Sequence, residues 1–91
     1  SDLPEAARQR LMQVVFALET ALRRLMRPDK INLASLGNVV PHVHWHVIPR
    51  FADDMHFPQP IWAAPVRAGV RHAAPDRETL RAALAEALPS I

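Results

Sequence analysis

His42-Val43-His44-Trp45-His46-Val47-Ile48 alternates imidazole with apolar or aromatic residues along its length and ends at Pro49. Strict alternation in a run rich in β-branched and aromatic residues predicts a β-strand, with the proline as its stop. Side chains two apart share a strand face, so His42, His44 and His46 line one side and Val43, Trp45 and Val47 the other. The sheet that holds this strand therefore has a polar imidazole face and an apolar face suited to a core.

Working outward, Lys30 to Ala34 reads as a second strand, with Ile31 and Leu33 on one side and Asn32 on the other. Ser35 to Asn38 reads as the loop between them, with Gly37 inside it. Upstream, Leu11, Val14, Val15, Leu18, Leu22 and Leu25 recur at helical spacing, predicting an amphipathic helix that ends near Arg27, before the turn Pro28-Asp29. Asp2 and Glu5 have the form of a capping box for its start, with Pro4 in the first turn. Downstream, prolines at 49, 58, 60, 65 and 75 leave no room for a long regular element, and an extended surface segment is expected. Asp76 then caps a second helix whose apolar face is Leu80, Ala83, Leu84, Ala87 and Leu88, ended by Pro89. The fold class is α+β: an antiparallel sheet with a helix packed on one face, where Val43, Trp45 and Val47 meet the Leu11 to Leu25 stripe, and a C-terminal helix.

Ninety-one residues, 49% of them hydrophobic and 22% charged, form one small domain with a core modest enough for a partner subunit to complete. With no cysteine there is neither a disulfide framework nor a thiolate metal site, and a cytoplasmic location is the expectation. No stretch approaches the roughly 20 apolar residues of a membrane span, and no membrane partner is expected. The net charge is only +2 and the basic residues are scattered, which argues against a nucleic-acid track and for a small anionic ligand.

Neighbouring imidazoles of the 42–46 strand are rooted roughly 7 Å apart and the outer two roughly 13 Å apart. Three rings so spread do not converge on one metal ion that needs bonds of about 2.0 to 2.1 Å, although two could if a further ligand came from elsewhere. They can line an elongated anion, one ring attacking phosphorus while another donates a proton or hydrogen bond to a phosphate oxygen or leaving group. An imidazole suits both tasks near neutral pH, its unperturbed pKa being about 6.5.

The seven residues from His42 to Ile48 resemble the signature of the histidine-triad family, His-φ-His-φ-His-φ-φ with φ hydrophobic, at every position. The similarity runs upstream through Asn32 and Gly37-Asn38-Val39-Val40 and downstream through Pro49-Arg50, from the first helix to about residue 62. The resemblance implies a nucleotide hydrolase or transferase in which His44 attacks the α-phosphorus and carries a covalent nucleotidyl group that water removes. It assigns His46 to the phosphate and leaving-group side and His42 to support of the arrangement. Asn32 matches a polar side chain that contacts the nucleotide, and Gly37, Asn38, Val39 and Val40 match the loop along the phosphates. Backbone N–H groups of such a glycine-containing loop can point at an anion.

Val39 stands where many relatives carry a hydroxyl residue, removing one possible contact to the phosphate or leaving group. The uridylyltransferase branch resembles His-Pro-His-x-Gln; here Val43 replaces the proline and His46 the glutamine, which favours hydrolysis over transfer. The substrates implied are purine nucleotides with a phosphoanhydride or phosphoramidate bond, diadenosine polyphosphates or adenosine phosphoramidates, with no obligatory metal or cofactor. Relatives pair as two-fold dimers, so a homodimer is expected. Family domains begin with additional strands, so residues 1–91 are expected to form a single domain of this type that is incomplete at its N-terminus. Two rival readings are a metal-binding module using His42 or His46 with His44, and a catalytically silent nucleotide-binding or dimerisation domain. His56, Phe57 and Trp62 resemble the tail after the triad in bacterial members and receive no role; Asp53-Asp54 reads as a solvated acidic turn rather than a metal site.

Overall fold

A computed structural model describes residues 4–36 and 44–88. Along the chain these form α1 (Glu5–Met26), β1 (Lys30–Ala34), β2 (His46–Arg50) and α2 (Arg77–Ala87), an α+β arrangement in which α1 packs against both β2 and α2. None of the described helices is long and apolar enough to cross a membrane.

The N-cap of α1 is Pro4, in extended conformation, with no side-chain hydrogen bond capping the helix. The Pro4 carbonyl accepts from Arg8 N–H at 3.0 Å and so opens the ladder itself. Pro4 therefore precedes the first turn instead of lying within it, since a proline can offer the first carbonyl but no N–H; Asp2 lies outside the described residues. At the other end Arg27 adopts the left-handed conformation (φ 49°, ψ 54°) and its N–H returns to the Arg23 carbonyl at 3.1 Å. That reversal and the following Pro28 end the helix. The expected stripe faces inward: Val15 and Leu22 are buried, Leu11, Val14, Leu18 and Leu25 half-buried. Ala17 and Ala21, one turn apart, join the core with Phe51 and Ala83.

β1 and β2 are antiparallel, Lys30 opposite Arg50, Asn32 opposite Ile48 and Ala34 opposite His46. Two expectations for the histidine strand need correction. Among the described residues regular pairing starts at His46: His44 and Trp45, expected inside the strand, lie just before it, and His42 and Val43 fall outside the described residues. Nor does Pro49 end the strand, because it pairs with Ile31 and the ladder continues to Arg50. A proline fits a strand where its nitrogen faces an edge that needs no donor, and among the described residues β2 is an edge strand.

Residues 51–75 contain no helix or strand, yet they do not simply extend over the surface. Turns close at Phe51–Asp54, His56–Gln59 and Pro60–Ala63, and the Phe57–Pro58 peptide is cis. The chain then doubles back, Val66 N–H donating to the Met55 carbonyl at 2.7 Å and Val70 N–H to the Asp53 carbonyl at 2.9 Å. Gly69, at φ +80°, permits that return, since a Cβ there would lie 2.6 Å from Met55 Cγ. α2 begins as its sequence dictates, the Asp76 carboxylate accepting from Thr79 N–H at 2.8 Å. An Arg24–Glu86 ion pair ties it to α1.

Candidate functional site

Antiparallel register places directly opposed residues on the same face, so Lys30, Asn32 and Ala34 share a face with Arg50, Ile48 and His46. Asn32 thus sits on the histidine side of the sheet, diagonal to His46 at one end and to Arg50 at the other. The His44 and His46 rings meet edge to face, centroids 5.6 Å apart at 89°. His46 is exposed and His44 half-buried. Ser35 Oγ donates to the His44 backbone carbonyl at 3.0 Å, so the residue after β1 fixes the backbone that carries His44.

The opposite end of this face is closed by a charged network. Arg50 is only 2% exposed. Its Nε and Nη2 donate to the two oxygens of Asp54 at 2.9 and 3.2 Å, Nη2 also to the Gln59 carbonyl at 2.7 Å, and Nη1 to Asn32 Oδ1 at 2.6 Å. The guanidinium lies over the Phe57 ring, 5.6 Å from its centroid. Asp54 accepts in addition from the backbone N–H groups of Phe51, His56 and Phe57 at 3.1, 2.9 and 2.7 Å. Arg50, and then those three N–H groups, hold the Asp54 carboxyl far below the ordinary carboxylate range, against the opposing effect of burial.

Asp54 is therefore no solvated acid: its side chain is 21% exposed and organises the turn that covers Arg50. Asp53 pairs instead with His72 Nε2 at 2.7 Å, and the His72 ring stacks on Phe51 at 3.7 Å. Phe57, given no role by its sequence context, is part of the cover over Arg50. His56 Nδ1 is buried without a hydrogen-bond partner among the described residues, beside a groove of about 400 Å³ lined by Pro49, Ile61 and Val70. Trp62 is 61% exposed. Among the described residues no three His, Cys, Asp or Glu side chains are grouped to hold a metal ion.

Of the expected site residues, the structure brings His44, His46 and Asn32 to one region; His42, Gly37, Asn38, Val39 and Val40 lie outside the described residues. Ser35, Arg50 and Asp54 were not anticipated. Arg50 carried a signal, since the alternation that groups His44 with His46 also includes residue 50, and a charged residue there had to be either exposed or neutralised.

The model of the HIT domain family matches residues 1–53. The chain belongs to the HIT family. The matched stretch of this HIT chain runs from α1 through both strands to the turn at Asp53. Solved structures similar to it include three histidine triad proteins. One from Bradyrhizobium japonicum is 31% identical with a TM-score of 0.67, covering 96% of this chain and 63% of that one. One from Marinobacter aquaeolei is 32% identical with a TM-score of 0.55, covering 93% and 58%. One from Sinorhizobium meliloti is 27% identical with a TM-score of 0.57, covering 96% and 63%. The HIT chain thus spans about three fifths of the length of these structures. No curated protein matches it significantly.

Proposed function

We propose that the protein of which this chain is part is a HIT-type nucleotide hydrolase that cleaves a phosphoanhydride or phosphoramidate bond on a purine nucleotide, with His44 as nucleophile. The observation that carries this reading is the His44–His46 pair, two imidazoles in edge contact on a chain of the HIT family. An imidazole nitrogen of His44 attacks the α-phosphorus, forming an N–P bond as the bond to the leaving group breaks. His46 gives its proton to the departing oxygen or nitrogen. Water then adds to phosphorus, its proton passing to His46, the N–P bond breaks, and a nucleoside monophosphate leaves. His42 supports the arrangement, while Asn32 and the loop Gly37, Asn38, Val39 and Val40 hold the nucleotide. Diadenosine polyphosphates and adenosine phosphoramidates are the leading substrates; a homodimer working in the cytoplasm, with no obligatory metal, completes the proposal.

The test is incubation of the full-length protein with a panel of adenylylated substrates, followed by mass spectrometry of the peptide holding residues 42–46. An adenylyl group on His44 is expected, together with its loss in His44→Asn. Equal turnover in His44→Asn and parent overturns the nucleophile assignment.

A further inference from the structure

An arginine that is 2% exposed, with its charge met by one carboxylate, one backbone carbonyl and an aromatic ring, is held in place from several sides. The remaining bond, Nη1 to Asn32 Oδ1 at 2.6 Å, reaches to the other strand. Guanidinium nitrogens only donate, so the atom of Asn32 that meets Arg50 must be its oxygen. The carboxamide is planar and its two ends diverge, so its NH2 group is directed away from Arg50. Asn32 lies on the face it shares with His46, opposite Ile48 and diagonal to His46 in the register.

We propose that Arg50 is a positioning residue: by holding the oxygen of Asn32, it commits Asn32 to act toward the nucleotide as a hydrogen-bond donor. The site then favours a group that only accepts, an unprotonated phosphate or bridging ester oxygen, at the point where Asn32 touches the ligand. A hydroxyl would meet the Asn32 amide N–H at that point as an acceptor rather than as a donor. Asp54 belongs to the same device, since its two oxygens fix the guanidinium plane and its three backbone bonds fix Asp54. The inference rests on the nucleotide reading for the ligand, but the orientation of Asn32 stands in the ligand-free protein.

The test uses the full-length protein and its Asn32→Asp and Arg50→Lys variants. Asn32→Asp keeps an acceptor toward Arg50 and replaces the outward NH2 by an anionic oxygen. Its unfolding midpoint is expected to be no lower than the parent's, with at least tenfold weaker binding of adenosine monophosphate by calorimetry. Undiminished binding overturns the proposal while leaving the nucleotide reading intact. In the absence of ligand, the Asn32 side-chain NH2 pair in ¹H–¹⁵N spectra is expected away from the positions of a freely rotating carboxamide in the parent, and at those positions in Arg50→Lys. Free-carboxamide positions in the parent overturn the proposal even if no nucleotide binds, a result that would count separately against the proposed function.

Discussion

Ser35 Oγ donates a 3.0 Å hydrogen bond to the backbone carbonyl of His44, tying the end of β1 to the residue two places before β2 begins. Regular ladder pairing ends at Ala34 and His46, so this side-chain bond continues the strand contact where the backbone ladder stops. Ser35→Ala is expected to remove it, lowering stability by about 1 kcal/mol. Because the bond acts on the backbone of the proposed nucleophile, turnover is expected to fall about 3- to 10-fold with KM little changed, as read by steady-state kinetics; unchanged kcat would limit Ser35 to a structural part.

His46 is exposed and in edge contact with His44, where a proton can be delivered to a leaving group. Glutamine can donate a hydrogen bond but does not ionise near neutral pH. His46→Gln is expected to lower kcat by about 100-fold or more, while the fold persists by circular dichroism. A variant with parental kcat would remove His46 from proton transfer.

Asp54 neutralises an arginine that is almost wholly enclosed. Asp54→Ala leaves that cation without its carboxylate and is expected to destabilise the protein by about 3–5 kcal/mol in denaturant titrations. Adding Arg50→Met is expected to restore part of the loss, because the stranded charge is then gone. A single variant as stable as the parent would show that the Gln59 carbonyl and the Phe57 ring suffice for Arg50.

The depressed Asp54 carboxyl also sets a direction for acid stability. In the unfolded chain the group titrates near 3.9, above its folded value, so its contribution is fully present above about pH 4 to 5 and is lost as pH falls below 4 toward the folded value. Asp54→Asn should accordingly lose stability relative to the parent at pH 7, with the difference shrinking as the pH is lowered through 4 and 3. A difference independent of pH in this window would separate the effect from ionisation.

Gly69 at φ +80° places its missing Cβ against Met55, 3.0 Å from the backbone nitrogen as well as 2.6 Å from Cγ. Gly69→Ala is expected to cost about 1–2 kcal/mol from the left-handed backbone alone, with further loss from the Met55 contact. Faster amide exchange at Val66 and Val70, whose N–H groups bind the 53–55 turn, should accompany the lower midpoint.

The amino-acid sequence by itself determined the elements whose causes are local. The α1 stripe, the Lys30–Ala34 strand and the Asp76-capped helix each follow from spacing or from one capping side chain within a few residues, and the family follows from seven consecutive residues. The strand limits were less legible, because Pro49 is a stop only where its nitrogen must donate, and the tertiary pairing put it where nothing is asked of it. Asp54 misled for a similar reason. Of the two adjacent carboxylates Asp53 does stay exposed, beside His72, but the fold brings Arg50 to Asp54 and covers it. What only tertiary structure decided is how the site is held. Asn32 and Arg50 stand 18 residues apart in sequence and Ser35 and His44 9 apart. Antiparallel register alone turns those separations into hydrogen bonds, and with them gives Asn32 the orientation and His44 the support that composition and periodicity cannot express.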